Sequence, residues 1–244
     1  MMRSLCPGLI CAALLFSACS STQAREPYAT VSCWGSLREV LREGETEGRV
    51  QLERVVQKGT WGVGALEGLE GEITIIDGAT SLAIVEGGEL THRELAESDE
   101  ATLLVIANVE EWSEQILPEV QTLSDLEFVL EAAIRESDFH TSEGPVPLRI
   151  EGRFDYVAVH VMDHSCPIAN PDGPPPWRWS GAQATGTIVG VYARGQGGVL
   201  THHGQSVHLH AVLQTADGQY LSGHLDEVAL GAGVRLSLPV PPVD

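Results

Sequence analysis

Two histidines separated by one residue, His208-Leu209-His210, fall in the run Val207 to Gln214, whose alternation reads as a strand. Residues two apart on a strand point to the same face, so these imidazoles stand side by side, a spacing that suits one metal ion. The segment that follows, Gln214-Thr215-Ala216-Asp217-Gly218-Gln219, has hairpin chemistry and leads to His224. With a three-residue loop, Ala216-Asp217-Gly218 with Gly218 left-handed, Thr215 pairs with Gln219 and His224 lies directly across from His210. A two-residue Asp217-Gly218 loop instead puts His224 on the other face. In the first register His208, His210 and His224 form a three-histidine metal site. Three neutral imidazoles leave an open coordination position on Zn²⁺, as catalysis requires. His202 and His203 precede this strand in a Gly-rich stretch and read as surface residues able to gate the site, while His92 and His140 read as structural.

The elements that must position these residues divide the chain into two styles. Trp34 to Arg42 places Trp34, Leu37, Val40 and Leu41 on one helical face, and Val50 to Lys58 reads as a second short helix. After Gly59 the period changes, and Gly62 to Leu66, Glu72 to Asp77 and Ser81 to Glu86 read as a strand meander, with Ala101 to Val109 a buried strand. Ser124 to Ser137 carries Leu126, Val129, Leu130, Ala133 and Ile134 at helical spacing behind an acidic first turn. Beyond it the pattern is β: Val146 to Glu151, Phe154 to Met162, Thr185 to Ala193, Val207 to Gln214, Gln219 to Val228 and Val234 to Leu238, with a Pro/Gly loop from Cys166 to Gly181. The expected fold is α/β of the α+β kind, in two joined regions. A mixed β-sheet with helices (25–144) is followed by a mainly antiparallel sheet carrying the metal site (145–244), with a soft boundary at Glu143-Gly144-Pro145.

Composition bounds the function. The 244 residues include 34 acidic and 14 basic side chains, a net charge of −20, which argues against nucleic acid as a partner. Arg3 and the apolar run Leu5 to Phe16 read as a signal peptide within residues 1–24, too short to span a bilayer. Leu15-Phe16-Ser17-Ala18-Cys19 resembles the lipobox of bacterial lipoproteins, so Cys19 is expected to carry lipid, with cleavage after Ala24 as the alternative. The expected location is therefore the bacterial cell envelope, or the periplasm or exterior if no lipid is attached. The membrane is a partner only through that anchor, and a homodimer is allowed. Cys33 and Cys166 remain, either paired or as separate thiols.

Across the mature chain the sequence resembles the α-acetolactate decarboxylases. The segment Trp61-Gly-Val-Gly-Ala-Leu-Glu-Gly-Leu-Glu-Gly-Glu-Ile-Thr-Ile-Ile-Asp-Gly78 is similar to that family's GxGTFxxLDGEhhxxDG motif. Gly186-Thr-Ile-Val-Gly190 resembles its GThVG strand, and Val207-His-Leu-His210 with Gly223-His-Leu-Asp226 resembles its HxHF and GGHVLD pair. The resemblance implies zinc on His208, His210 and His224, and an active-site acid at Glu72. It implies decarboxylation of 2-acetolactate, a small-molecule substrate with adjacent oxygens to offer a metal, to acetoin and CO₂. Glu72, its pKa raised by burial, would then be the proton donor. Several positions depart from the pattern. Ala65 stands where the family has threonine, and His160, the second candidate catalytic residue, stands where it has an arginine that engages the substrate carboxylate. The His210 to His224 spacing is longer than the family's, and the chain ends at Asp244 without the family's C-terminal glutamate.

Two further classes compete with the zinc lyase. A non-catalytic metal- or ligand-binding surface lipoprotein derived from the same fold is favoured by the lost arginine. A cupin would need a glutamate where Gln214 stands and fits the N-terminal helices poorly. Arg149, Arg178 and Arg194 are the basic residues nearest the histidines in sequence, and any of them serves an anionic substrate only if it faces the metal.

Overall fold

A computed structural model describes residues 29–137, 144–166 and 168–240. The signal segment, Cys19 and His140 lie outside the described residues.

Short hairpins decide the first sheet. β1 (Thr30–Trp34), β2 (Val50–Gln51), β3 (Thr60–Leu66), β4 (Gly71–Ile76), β5 (Ala79–Glu86), β6 (Glu89–Arg93) and β7 (Glu100–Asn108) form it, in the order β1-β7-β3-β4-β5-β6 with β2 also on β7. Every pairing in it is antiparallel, because β3 to β6 follow one another through connections too short for a parallel crossover. The sheet expected as mixed is thus antiparallel, and the α+β character rests on the helices. The two N-terminal ones are shorter than the sequence pattern implies. Trp34 belongs to β1, paired with Leu104, and the helical turn that follows is a π-type segment, Glu39–Glu43. Val50 to Lys58 contributes a single turn, α1 (Leu52–Val55).

The second sheet contains β8 (Trp112–Ile116), β9 (Val146–Val161), β10 (Trp177–Tyr192), β11 (Val207–Gln214), β12 (Tyr220–Leu230) and β13 (Arg235–Pro239), in the order β10-β11-β12-β9-β13-β8. Because β9 also pairs with β10, the strands β9-β10-β11-β12 close a ring of antiparallel pairings. The two strands expected either side of Gly152 are one strand of 16 residues, which pairs with β12 along one part of its length and with β13 along another. Strand β10 starts earlier than expected, inside the Pro/Gly segment, and this puts Arg178 across from His160. Gly190 permits the close β10–β11 approach: a Cβ there would stand 2.0 Å from the His208 carbonyl oxygen.

Helix α2 (Leu123–Glu136) packs on this second sheet. Thr122 caps it, its hydroxyl accepting from the Asp125 N–H at 3.1 Å and donating to the Asp125 carboxylate at 2.9 Å, which satisfies one of the free donors of the first turn. Leu126, Leu130, Ala133 and Ile134 bury the face that the sequence spacing marks, against a core that includes Phe154, Leu209 and Leu236. Phe154 is fully buried in this largest cluster. Truncating it by Phe154→Ala should cost about 3–5 kcal/mol, read as a lower urea midpoint at unchanged slope. A second cluster, around Ile73, Ile75, Leu82 and Leu104, serves the first sheet.

Candidate metal centre and active site

Strand alternation builds the site between the two sheets. On β4, Ile73 and Ile75 enter the core of the first sheet, so Glu72 and Thr74 face the second. On β11, Leu209, Ala211 and Leu213 enter the core of the second sheet, so His208 and His210 face back toward β4. The same rule puts Val157 and Val159 inward and turns His160 to the site from β9.

The hairpin register is the one with the three-residue loop. The Thr215 N–H donates to the Gln219 carbonyl at 2.9 Å, and Gly218 is left-handed at φ 87°. His224 is then paired directly with His210, and on its other side with His160. The rings of His208, His210 and His224 form a near-equilateral triangle, with all three centroid separations 5.4 Å.

All three residues are buried, His210 completely. Nδ1 of His208, Nε2 of His210 and both ring nitrogens of His224 are buried without a hydrogen-bond partner among the described residues. Such atoms normally find partners, so three imidazoles converging with unpartnered nitrogens need an explanation. A metal ion supplies one. Rings that share a tetrahedral zinc at about 2.0–2.1 Å from each nitrogen stand with their centres roughly 5 Å apart, as these do. The opposite edges of two rings are already held. Nδ1 of His210 lies 3.3 Å from the Thr74 hydroxyl, and the Leu200 carbonyl accepts from the His208 ring. This is how ligating histidines are commonly oriented. Burial pushes all three imidazoles below their ordinary range, His224 to about 4, so they are neutral and fit to bind a cation.

A more compact donor group overlaps this one. Ligand atoms of His160, His224 and Asp226 lie within 4.8 Å of one another. Here, however, the atoms already satisfy each other: Nδ1 of His160 is 2.7 Å from Oδ1 of Asp226, and Arg178 donates to Oδ2 at 2.6 Å. The His224 nitrogen stands 3.7 Å from Asp226, beyond hydrogen-bond reach. Burial raises the Asp226 pKa, but the hydrogen bond from His160 and the neighbouring imidazoles outweigh it and hold the carboxylate ionised. The unpartnered nitrogens therefore favour the three-histidine set, with Asp226 as the group that holds His160 and Arg178.

Glu72 is 3% exposed, and burial raises its pKa from 4.5 to about 7, against the pull of His160 and of the Met162 N–H at 3.4 Å. Its Oε2 lies 3.7 Å from Nε2 of His210. A cavity of about 270 Å³ opens beside these groups, lined by Glu72, His160, Arg178, His202, His208 and His224 on its polar side.

Metal-free protein should lose stability as pH falls from 6.5 toward 4. In that window the unfolded chain binds a proton that folded His224 refuses, a slope of about 1.4 kcal/mol per pH unit per group. His208 and His210 act in the same direction. Glu72 opposes them: its raised pKa stabilises the folded state below 4.5, and this is lost as pH rises through about 7. Three groups outweigh one, so urea midpoints should fall on acidification, and less steeply in His208→Asn/His210→Asn. A variant slope equal to the native one would contradict the assignment.

The family model for alpha-acetolactate decarboxylase matches residues 35–239, most of the chain. The chain belongs to this family. Solved structures of the alpha-acetolactate decarboxylase from Bacillus subtilis strain 168 and of the acetolactate decarboxylase from Bacillus subtilis subspecies spizizenii share its fold. Each is 18% identical to this chain, with TM-scores of 0.62 and 0.63. Coverage is 86% of this chain in both cases, and 86% and 85% of theirs. A Staphylococcus aureus protein of unknown function, described as similar to alpha-acetolactate decarboxylase, aligns at 18% identity and TM-score 0.62 over 85% of this chain and 84% of its own. No curated protein matches.

Within this family member, three residues join the site that sequence reasoning had not placed there. Asp226 lay inside the quoted Gly223-His-Leu-Asp226 motif but was given no role. Arg178 emerges as the one of the three candidate arginines that lines the cavity. Arg149 instead pairs with Glu114 and Glu151 and lies over Trp61 and Trp112, and Arg194 pairs with Glu131. His202 lines the cavity as well, its ring 5.2 Å from that of His224, whereas His203 is exposed. His92 bonds to Ser222 and packs edge-on to Tyr220, outside the triangle of His208, His210 and His224. Cys33 and Cys166 are separate thiols, the first exposed and the second buried.

Proposed function

We propose that this protein is a zinc-dependent decarboxylase acting on 2-acetolactate or a closely related 2-hydroxy-3-oxo acid, with His208, His210 and His224 as the metal ligands. The observation that carries it is the triangle of buried imidazoles with unpartnered nitrogens, next to a carboxyl group that burial keeps protonated near neutrality. Bound zinc would supply the Lewis acidity that stabilises the negative charge left when CO₂ departs.

The chain's own residues supply the rest. Glu72, its pKa raised by burial, delivers its proton to the carbon that has lost CO₂, which yields the neutral hydroxyketone acetoin. Asp226 fixes His160 through Nδ1, which leaves Nε2 to orient the substrate. Arg178 places a cationic group on the cavity wall. The aliphatic residues opposite exclude water from the reacting carbon.

Zinc-loaded protein given racemic acetolactate should release CO₂ and acetoin, and His208→Ala/His210→Ala should release neither. Zinc binding without turnover would support the second reading, a metal-binding member that has lost catalysis. One observation favours that reading: the charge of Arg178 is already engaged by Asp226.

The signal-like segment supports a further part of the proposal, export and lipid attachment at Cys19 in the cell envelope. Cys19→Ala should move the protein from the membrane fraction to the soluble exported fraction, and the native protein should show an acylated N-terminal peptide by mass spectrometry. Native protein found in the cytosol with an intact leader would overturn this part.

A further inference from the structure

The metal cavity has two unlike walls. Opposite the histidines, Leu37, Leu41, Ala65, Leu69 and Met162 present aliphatic side chains, and most of them belong to a separate small hydrophobic cluster between the two sheets. Ile168 stands at the rim, 65% exposed. A second cavity of about 240 Å³ shares Leu37, Leu41, Ile168 and His202 with the first and adds Arg38, Arg42, Gly198 and His203, so the apolar lining reaches the rim and meets basic side chains beyond it. A pocket with polar groups gathered at one end and hydrocarbon along the other is shaped for a ligand divided in the same way.

Acetolactate offers two methyl groups to that wall, and they leave most of it wet. We infer that the preferred substrate carries an aliphatic substituent of several carbons. Its hydroxy-keto acid end faces the histidines and Glu72, and its chain runs along Leu69, Leu37 and Leu41 past Ile168. This rests on the proposed decarboxylase reading and deepens it, by naming alkyl-substituted 2-hydroxy-3-oxo acids as the substrate class. Leu41 and Ile168 become specificity residues: they touch the chain and not the reacting carbons. The stabilisation comes from apolar surface removed from water, so each added methylene should tighten binding about fourfold until the chain emerges past the rim.

The test uses stable analogues that cannot lose CO₂ by this route, straight-chain 2-hydroxy-2-methyl acids of increasing length, titrated calorimetrically into zinc-loaded full-length protein. Affinity should climb about fourfold per methylene over at least three additions. Leu41→Asn, and separately Ile168→Ser at the exposed rim where folding is not at stake, should flatten that climb and leave the shortest acid unaffected. Affinity that stays level or falls as the chain grows overturns the inference, as does a climb unchanged in both variants or no binding by any member. Acetolactate turnover by the same preparation is measured separately. Turnover with a flat length series discards the alkyl pocket and keeps the decarboxylase, whereas a rising series without turnover of acetolactate or of a longer-chain 2-hydroxy-3-oxo acid discards the decarboxylase, and with it the substrate assignment, and leaves a pocket that binds alkyl acids.

Discussion

Replacing any one of His208, His210 and His224 with alanine should strip the protein of zinc, while His160→Ala and Asp226→Asn should retain it. The contrast follows from which nitrogens have partners. The three former residues hold buried nitrogens with none, and His160 and Asp226 satisfy each other at 2.7 Å. A tetrahedral site reduced from three protein ligands to two loses affinity by orders of magnitude, so metal content after dialysis should drop from about one ion per chain to almost none. Thr74→Val should have an intermediate effect. It removes the hydroxyl beside Nδ1 of His210 and leaves the ligand, so affinity should weaken about 10–100-fold. The measurement is elemental analysis of each purified variant beside a zinc-competition titration. If His160→Ala and Asp226→Asn lose the metal and His208→Ala and His210→Ala keep it, the ion belongs to the compact His160, His224 and Asp226 group instead.

How the fold brings these groups together explains which of them could be read in advance. His208, His210 and His224 lie on one hairpin, and a hairpin's register is set by its own loop. Thr215, Asp217 and Gly218 therefore specify locally that His224 faces His210. Arg178 is different. Its place depends on β9 and β10 pairing across a segment rich in proline, which hides the start of the strand, so only the pairing itself sets it across from His160. Asp226 is the extra residue at a register shift in the β12–β9 pairing, between Leu225 and Glu227, where simple alternation along the strand is no guide to direction. His202 reaches the cavity from a loop, where no periodicity applies.

The two N-terminal helices fail for a related reason, whereas the one read over Ser124 to Ser137 is present as α2. The apolar spacing of Trp34, Leu37, Val40 and Leu41 is compatible with a helix, but Trp34 gains a strand partner in β7, and such a tertiary gain outweighs a few tenths of a kcal/mol of propensity. Leu37 and Val40 are nonetheless buried, so the face was legible where the element was not. β6 and β8 are edge strands with little apolar alternation, and their signal lies in their neighbours.

Glu72→Gln should lower kcat by about 10²–10⁴-fold and leave zinc bound, because it removes the proton donor and keeps the volume. The argument starts from β4. Alternation forces Glu72 away from the core formed by Ile73 and Ile75 and into the space between the sheets, where it is 3% exposed. In that position a charged carboxylate gives up most of its hydration, and the single contact from the Met162 N–H at 3.4 Å recovers little of it. Its pKa accordingly rises to about 7 in the metal-free protein, and a carboxyl group held above its ordinary range can both donate a proton and recover it from solvent in each cycle. A bound dication nearby favours the charged form, so zinc should move the Glu72 titration downward from its metal-free position. Infrared titration of the carboxyl band, with and without zinc and with Glu72→Gln to assign it, checks both the position and the direction. On the alkaline side, activity should fall as the acid form is lost, and Glu72→Gln should abolish that limb of the pH profile along with the rate. If the limb survives in Glu72→Gln, another group gives the proton, and Glu72 acts only through the negative charge it places near His210. In that case kcat would fall little and zinc affinity would weaken instead, a pattern opposite to the one expected for the donor.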